Sequence, residues 1–255
     1  HIGGGNMTKR IVCATTLVMG ALWVGGCATT MKGNIAEERG IPTGFINKTM
    51  ETRGETRLYA VYVPREYDPL KRWPLIVFLH GAGERGDDGL IQTEVGLPSA
   101  IRRYADWFPA VVVMPQCPEG VWWDKAAEDV ERAYELTLQQ YNIDPARVYL
   151  TGLSMGGYAT WLFGAQHIDR WAALMPICGG GRLEDAPALA KVPIWAFHGA
   201  DDTTVKPEES RKMVEAVKQA GGDVQYTEFE KTDHNSWDPA YRNKKAIRWL
   251  FKQKK

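Results

Sequence analysis

The segment Val148-Tyr-Leu-Thr-Gly152-Leu-Ser154-Met-Gly156-Gly157-Tyr158 connects a short apolar run directly to an apolar segment with helical spacing. Its Gly-x-Ser-x-Gly core is typical of a serine held on a sharp turn between a strand and a helix. Such a turn crowds the positions two before and two after the serine, which explains Gly152 and Gly156. We predict that Ser154 is a nucleophile and that the Met155 N–H, at the helix start, stabilises developing negative charge. The alternative is a tight turn in which Ser154 has no chemical role.

Short apolar runs alternate with segments of helical spacing on both sides of this turn. Five apolar residues at 75–79 are too few for a helix and are typical of a strand buried on both faces. This alternation favours an α/β fold, with helices on both faces of a mostly parallel sheet. No linker or internal repeat divides the sequence, so we predict a single domain over residues 41–255. The other predicted strands are 44–50, 57–63, 110–114, 148–151, 172–177, 194–197 and 224–229, and the predicted helices are 97–104, 127–141, 155–166, 208–220 and 241–252.

A serine nucleophile needs a general base, most often a histidine that is itself oriented by a carboxylate. His234 lies in a polar loop downstream of Ser154, and elimination leaves it as the predicted base. The other histidines fit positions outside the domain, at strand ends or at a helix end: His1, His80, His198 and His167. The carboxylate is left open between Asp201 and Asp202, which follow the strand at 194–197, with Asp233 as a third candidate.

The second donor to a developing oxyanion is expected in the loop that follows the strand at 75–79. This loop is His80-Gly-Ala-Gly-Glu-Arg-Gly86, and its three glycines allow the backbone to approach a substrate closely. We predict that the N–H of Ala82 is the donor, with Gly83 as the alternative. A phosphate-binding loop is not indicated, because Gly-x-x-x-x-Gly-Lys is absent from the sequence.

The chain resembles serine α/β-hydrolases, specifically the small bacterial esterases that include the feruloyl and acetyl xylan esterases of carbohydrate esterase family one. It is also similar to proteins labelled predicted peptidases for their likeness to the prolyl oligopeptidase catalytic domain. The motifs follow the family's order over most of residues 45–240. They are Leu79-His-Gly-Ala-Gly-Glu-Arg-Gly86, Gly152-Leu-Ser-Met-Gly-Gly-Tyr158, Pro176-Ile-Cys-Gly-Gly-Gly181, His198-Gly-Ala-Asp-Asp202 and His234-Asn-Ser-Trp237.

The resemblance implies an α/β-hydrolase fold of about eight strands and a Ser, acid, His order along the chain. Asp202-Thr-Thr-Val-Lys-Pro207 matches the family's Asp-x-x-Val-x-Pro, which favours Asp202 as the acid. The implied activity is ester hydrolysis through an acyl-enzyme without a metal or organic cofactor, on small or polysaccharide-linked esters. The alternatives are a serine peptidase or amidase, although the sequence has no propeller domain to select peptides, and a non-catalytic surface lipoprotein.

About fifteen residues separate Cys178 from the next predicted strand, too few for a large lid, and an open site suits esters of bulky molecules. Trp122 and Trp123 follow the strand at 110–114, at the sheet edge where ligands bind in parallel α/β proteins. We predict that Trp123, and after it Trp122, line the substrate pocket. The alternative is that both tryptophans support the loop structurally.

The composition argues against nucleic acid as a binding partner. The 255 residues are 44% hydrophobic and carry 31 basic against 31 acidic side chains, so the chain has material for a core and no excess positive charge for nucleic acid. Four cysteines in a chain of this length indicate neither a disulfide scaffold nor a zinc site. A disulfide between Cys117 and Cys178 is a hypothesis, because both follow strands at the same edge of the predicted sheet; two intervening strands argue against it. The sequence does not indicate whether the protein is a monomer or an oligomer.

The N-terminal residues are typical of an export signal. A basic pair at 9–10 precedes the apolar run 11–24, which is shorter than the roughly 20 residues of a membrane span. Val24-Gly-Gly-Cys27 resembles the lipobox of bacterial lipoproteins, which predicts a signal peptide at 7–26 and lipid on Cys27. The alternative is an ordinary signal peptide that is cut near Ala28. We expect residues 1–6 to be upstream sequence and residues 27–40 to be a flexible tether. The predicted location is the periplasm or cell surface, with membrane contact through the lipid alone.

Overall fold

The computed structural model describes residues 35–255, which fall within one compact unit. The predicted signal peptide at 7–26, Cys27 and most of the predicted tether lie outside the described residues. Within residues 35–255, no helix is both long enough and apolar enough to cross a membrane.

One eight-stranded sheet forms the centre of the domain, in the order β1-β2-β4-β3-β5-β6-β7-β8. The first two strands form an antiparallel hairpin, and the second of them also pairs antiparallel with β4. Every other neighbouring pair of strands is parallel. The predicted fold class, a mostly parallel sheet of about eight strands, is therefore confirmed. The strands are β1 (Gly44–Thr52), β2 (Glu55–Val63), β3 (Trp73–Leu79), β4 (Val111–Pro115), β5 (Ile143–Leu153), β6 (Ala173–Ile177), β7 (Ile194–Gly199) and β8 (Val224–Phe229).

Helices cover both faces of this sheet. The helices are α1 (Ile35–Glu38), α2 (Leu97–Arg103), α3 (Ala127–Gln140), α4 (Met155–Gln166), α5 (Ala186–Leu189), α6 (Glu208–Gln219), α7 (Trp237–Tyr241) and α8 (Lys244–Lys252). Alternate residues of β3 enter two separate apolar clusters: Leu75 and Val77 pack on the face of α3, α4 and α6, and Ile76 and Phe78 on the face of α2, α7 and α8. A strand buried on both faces needs this continuous apolar sequence.

The boundaries near the two ends of the described residues differ from the sequence-based expectation. The predicted tether extends too far, because residues 35–38 are helical, Ala36 is buried and the Ile41 N–H donates to the Ala36 carbonyl at 2.8 Å. The helix predicted over 241–252 begins only at Lys244, because Asn243 caps it by accepting from the N–H groups of Lys245 and Ala246, and Tyr241 instead ends the separate short helix α7. Neither difference affects the sheet edge that holds the polar motifs.

Candidate active site

Ser154 occupies the turn between β5 and α4. Its φ angle of +53° lies in the left-handed region, which a residue other than glycine adopts only when its surroundings impose it. A Cβ on Gly152 would lie 2.3 Å from the Gly156 carbonyl oxygen, and a Cβ on Gly156 would lie 1.9 Å from the Leu79 carbonyl oxygen. Both glycines are therefore required by close backbone contacts, as the motif predicts, and the turn presents Ser154 at the carboxyl edge of the sheet.

The structure brings Ser154, His234 and Asp202 together. His234 Nε2 lies 3.0 Å from Ser154 Oγ, and His234 Nδ1 lies 2.7 Å from Asp202 Oδ2. The imidazole is partly exposed, with 22% of its side chain accessible, and Trp237 packs edge-on against it at 5.4 Å. The arrangement allows His234 to take the Ser154 proton while Asp202 holds the opposite ring nitrogen.

Of the three carboxylates that the sequence left open, Asp202 is the one that contacts His234. Its side chain is fully buried, and Oδ1 accepts the N–H groups of Thr204 and Val205 at 2.9 Å each. Asp201 is exposed on the same loop. Asp233 is also exposed and accepts from the Asn235 N–H, as a loop-capping carboxylate does.

The loop after β3 lies against the nucleophile. A Cβ built on Gly81 would lie 3.6 Å from Ser154 Cβ, so the backbone at residues 81–82 lies beside the hydroxyl-bearing residue. Ala82 and Met155 are the first residues of a 3-10 turn (Ala82–Glu84) and of α4, where N–H groups have no acceptor within the helix. The predicted pair of oxyanion donors is thus placed on two adjacent backbone segments.

Sequence reasoning missed the two side chains that hold this loop. His80 Nε2 accepts the Cys117 N–H at 2.9 Å, so its proton is on Nδ1, which donates to the Gly81 carbonyl at 2.6 Å. Glu84 accepts the Gly81 N–H at 2.9 Å. Because C=O and N–H point in opposite directions in a trans peptide, holding the Gly81 carbonyl also fixes the direction of the Ala82 N–H. Burial lowers the pKa of His80 to about 4, which keeps this tautomer neutral.

A cavity of about 850 Å³ opens beside Met155 and has mostly apolar walls. Trp122, 52% exposed, lies on this cavity with its ring 6.2 Å from that of Tyr158. Trp123 is only 1% exposed, and its Nε1–H donates to the His80 carbonyl. Trp123 and Trp122 both border the cavity, as the sequence predicts, but Trp123 is buried and supports the loop, whereas Trp122 presents the larger exposed surface. Which of the two leads in substrate contact stays a prediction. The other lining residues include Val121, Ala159, Leu162, Gly181 and Arg182.

Cys178, Asp202 and His234 have ligand atoms within 4.8 Å of one another, the one such cluster among residues 35–255. Burial raises the pKa of the Cys178 thiol to about 12, which disfavours the thiolate that a metal needs. Both ring nitrogens of His234 are also hydrogen-bonded. The geometry therefore suits proton transfer better than metal binding. Cys117 and Cys178 are both free thiols, so the structure does not contain the disulfide considered from the sequence.

Comparison with known proteins agrees with this geometry. A profile of the dienelactone hydrolase family matches residues 110–247. A bifunctional acetylxylan esterase/xylanase of Neocallimastix patriciarum is 31% identical over 169 residues, which is 64% of this chain and 24% of that protein. Among solved structures, a thermostable esterase is 38% identical with a TM-score of 0.77, covering 83% of this chain and 63% of its own.

A feruloyl esterase module of Clostridium thermocellum, solved with sinapinate, shares the fold with a TM-score of 0.67 at 17% identity, covering 82% of this chain and 88% of its own. The chain spans only 24% to 31% of the length of the curated relatives that it matches. The resemblance to feruloyl and acetyl xylan esterases is confirmed at the level of sequence relatives and structural neighbours.

Proposed function

The chain belongs to the dienelactone hydrolase family, and from this premise we propose that it is a serine carboxylic ester hydrolase that acts through an acyl-enzyme. The observation that carries the proposal is the continuous contact from Asp202 Oδ2 through His234 to Ser154 Oγ, at 2.7 and 3.0 Å. This spacing lets one proton pass from the hydroxyl to the imidazole as the oxygen attacks a carbonyl carbon.

The proposed reaction has two stages. Ser154 Oγ bonds to the ester carbonyl carbon, its proton moves to His234 Nε2, and the carbonyl oxygen becomes an oxyanion near the Ala82 and Met155 N–H groups. Collapse of this intermediate breaks the bond to the alcohol oxygen, which leaves with the proton from His234. Water, deprotonated by His234, then attacks the acyl carbon; the bond from that carbon to Ser154 Oγ breaks, and His234 returns the proton to Oγ as the acid leaves. Asp202 stabilises the imidazolium in both stages.

The cavity supports esters with a bulky or aromatic part. Its exposed Trp122 offers an apolar ring face, and the segment between Cys178 and β7 contains only a 3-10 turn (Leu183–Asp185) and the short helix α5. We propose feruloyl, acetyl or other short or aromatic esters of plant cell-wall polysaccharides as substrates. The acetylxylan esterase relatives and the sinapinate-bound structural neighbour support this choice.

A substrate panel tests the proposal. We expect the wild-type protein to hydrolyse feruloyl and acetyl esters of xylan fragments and to leave matched peptide and anilide bonds intact. The Ser154→Ala variant is the control for background hydrolysis. Equal rates on esters and amides would favour the peptidase alternative. Hydrolysis of no ester in the panel would favour a non-catalytic role and overturn the proposal.

We propose in addition that the protein is exported and that lipid on Cys27 anchors it to a bacterial membrane. The basis is the order of the basic pair, the apolar run and Gly-Gly-Cys27 in the sequence. Detergent partitioning of cells that express Cys27→Ala tests this, with Cys13→Ala as the matched control. We expect only Cys27→Ala to leave the detergent phase, and unchanged partitioning of that variant would contradict the proposal.

A further inference from the structure

A second imidazole lies against the carboxylate of Asp202. His198, at the end of β7, is completely buried, and its Nε2 lies 3.2 Å from Asp202 Oδ2 and 2.9 Å from the Val205 carbonyl oxygen. The Val205 carbonyl oxygen can only accept a hydrogen bond, so Nε2 carries a proton and donates it to Val205. The same N–H lies beside Asp202 Oδ2, the carboxylate oxygen that accepts from His234.

The hydrogen bond that Nδ1 of His198 makes does not alter the proton on Nε2. Nδ1 lies 2.7 Å from Ser210 Oγ, and Ser210 Oγ lies 2.8 Å from the Gly179 carbonyl oxygen. The single hydroxyl proton of Ser210 serves one of these two acceptors at a time. A neutral ring accepts that proton on Nδ1, and a cationic ring donates to Oγ while the hydroxyl turns to Gly179. In both states the Nε2–H still faces Asp202.

Asp202 needs such a donor because it is buried without a basic side chain. Its ion-pair partners among the described residues are the two imidazoles, His198 and His234. Two backbone N–H groups hold Oδ1, and the two imidazoles reach Oδ2. Removing His198 would leave Oδ2 with His234 as its one side-chain donor, and a buried carboxylate oxygen with fewer donors is less firmly held in place.

We propose that His198 is a positioning residue for ester hydrolysis, whose Nε2–H, shared between the Val205 carbonyl and Asp202, fixes Oδ2 in the direction of His234. This inference rests on the proposed function, because the affected step is proton transfer from Ser154. His198 itself contacts neither substrate nor the reacting atoms; it acts through Asp202.

The charged and titratable groups around this pair do not interfere with a pH measurement near neutrality. Glu228 on β8 is paired with Arg211, which lowers its pKa. Burial raises the pKa of Tyr158 on α4, and that of Cys178 to about 12. Burial is the largest influence on His198 and lowers its pKa, while Asp202 raises it and His234 lowers it.

Two substitutions of similar polarity separate the donor from the packing. In His198→Gln the side-chain amide reaches the position of Nε2 and can still donate to Asp202, whereas in His198→Asn it reaches only the position of Nδ1. With activity normalised to sites titrated by a fluorophosphonate, we expect His198→Asn to lower kcat about tenfold with KM nearly unchanged, as for loss of a hydrogen bond to a charged group. We expect the pH profile of kcat/KM to change in His198→Asn, because Asp202 Oδ2 then has one N–H group fewer beside it. His198→Gln should restore most of kcat and the wild-type pH profile.

Ser210→Ala removes the Nδ1 partner and keeps the Nε2–H, so it should lose stability while its kcat per titrated site and its pH profile stay close to wild type. Equal losses in His198→Asn and His198→Gln, or a wild-type profile in His198→Asn, would overturn the inference.

If the variants do not fold, ¹⁵N NMR of histidine-labelled wild type and Asp202→Asn tests it: the His198 Nε2 proton should be present and should shift on substitution. An unshifted signal would overturn it. Absence of ester hydrolysis by wild type would instead count against the proposed function, and this NMR test would still be informative.

Discussion

Ser154 Oγ lies 3.0 Å from His234 Nε2, although the two residues are 80 positions apart in the chain. Ser154 follows β5 and His234 follows β8, and both strands end at the carboxyl edge of the sheet. Gly199, at the end of β7, lets the base loop approach, because a Cβ there would lie 2.2 Å from the Asp233 carbonyl oxygen. The contact between nucleophile and base thus depends on the ends of three strands and on one close backbone contact.

The buried His80 should make folding depend on pH. Its pKa in the folded protein is about 4, against an ordinary value of 6.5, so the unfolded chain binds the proton more tightly. The free energy of unfolding therefore keeps its full value above about pH 6.5. Protonation of His80 lowers it by roughly 3 kcal/mol as the pH falls toward 4. Urea unfolding of wild type and His80→Asn at several pH values measures it, and the variant should lack this part of the dependence. The same slope in both proteins would contradict the assignment of a neutral His80.

Gly156 should not tolerate a side chain. Its Cβ would lie 1.9 Å from the Leu79 carbonyl oxygen, so Gly156→Ala should displace the turn and lower the free energy of unfolding by about 3 kcal/mol or more. Gly83→Ala is the matched control, because a Cβ at Gly83 meets nothing within 4 Å and should change stability by less than about 0.5 kcal/mol. Thermal unfolding of both variants measures the difference. Similar midpoints would show that the turn is not as crowded as described.

Trp122 and Trp123 should give opposite phenotypes. Trp122→Ala removes an exposed cavity wall, so kcat/KM for a feruloyl ester should fall about tenfold while that for an acetyl ester stays near wild type. Trp123→Ala removes a buried ring and its hydrogen bond to His80, so it should cost about 3–5 kcal/mol of stability. Steady-state kinetics and urea unfolding of both variants measure these effects. A feruloyl rate unaffected by Trp122→Ala would remove this residue from the substrate site.

Cys117 and Cys178 should be unreactive in the native protein. Both thiols are buried, and burial raises the pKa of each to about 12. In a variant with Cys13 and Cys27 replaced by alanine, Ellman's reagent should detect no thiol in the native state and two after denaturation without reductant. Fewer than two after denaturation would indicate an oxidised pair and contradict the structure.

The sequence predicts the sheet and the nucleophile because each has a local signature, whereas it predicts His234 as the base by elimination of the other histidines. The apolar runs indicate the strands. Gly152 and Gly156 indicate a tight turn, because few other residues fit at those two positions. Asp202 was chosen over Asp201 only through family resemblance, since the two are adjacent and equally polar. What distinguishes them is which side chain is buried against His234, and that depends on packing between β7 and β8.

The roles of His80 and Trp123 could not be predicted from the sequence. Each depends on hydrogen bonds to groups more than 35 residues away, His80 to the Cys117 N–H and Trp123 to the His80 carbonyl. Glu84 had a weak local signal, because an acidic residue three positions after Gly81 can accept the N–H of that residue. Trp122 and Trp123 are adjacent and chemically identical, so only the structure separates the exposed ring from the buried one.

The central claim is that Ser154 is acylated during ester hydrolysis. The most direct measurement is rapid quenching of the protein with p-nitrophenyl acetate, followed by mass spectrometry of the peptide that contains residue 154. We expect a burst of p-nitrophenol equal to the enzyme concentration and an acetyl group on Ser154, with both absent in Ser154→Ala. Steady hydrolysis by Ser154→Ala at the wild-type rate, or an acyl group found on another residue, would contradict the claim.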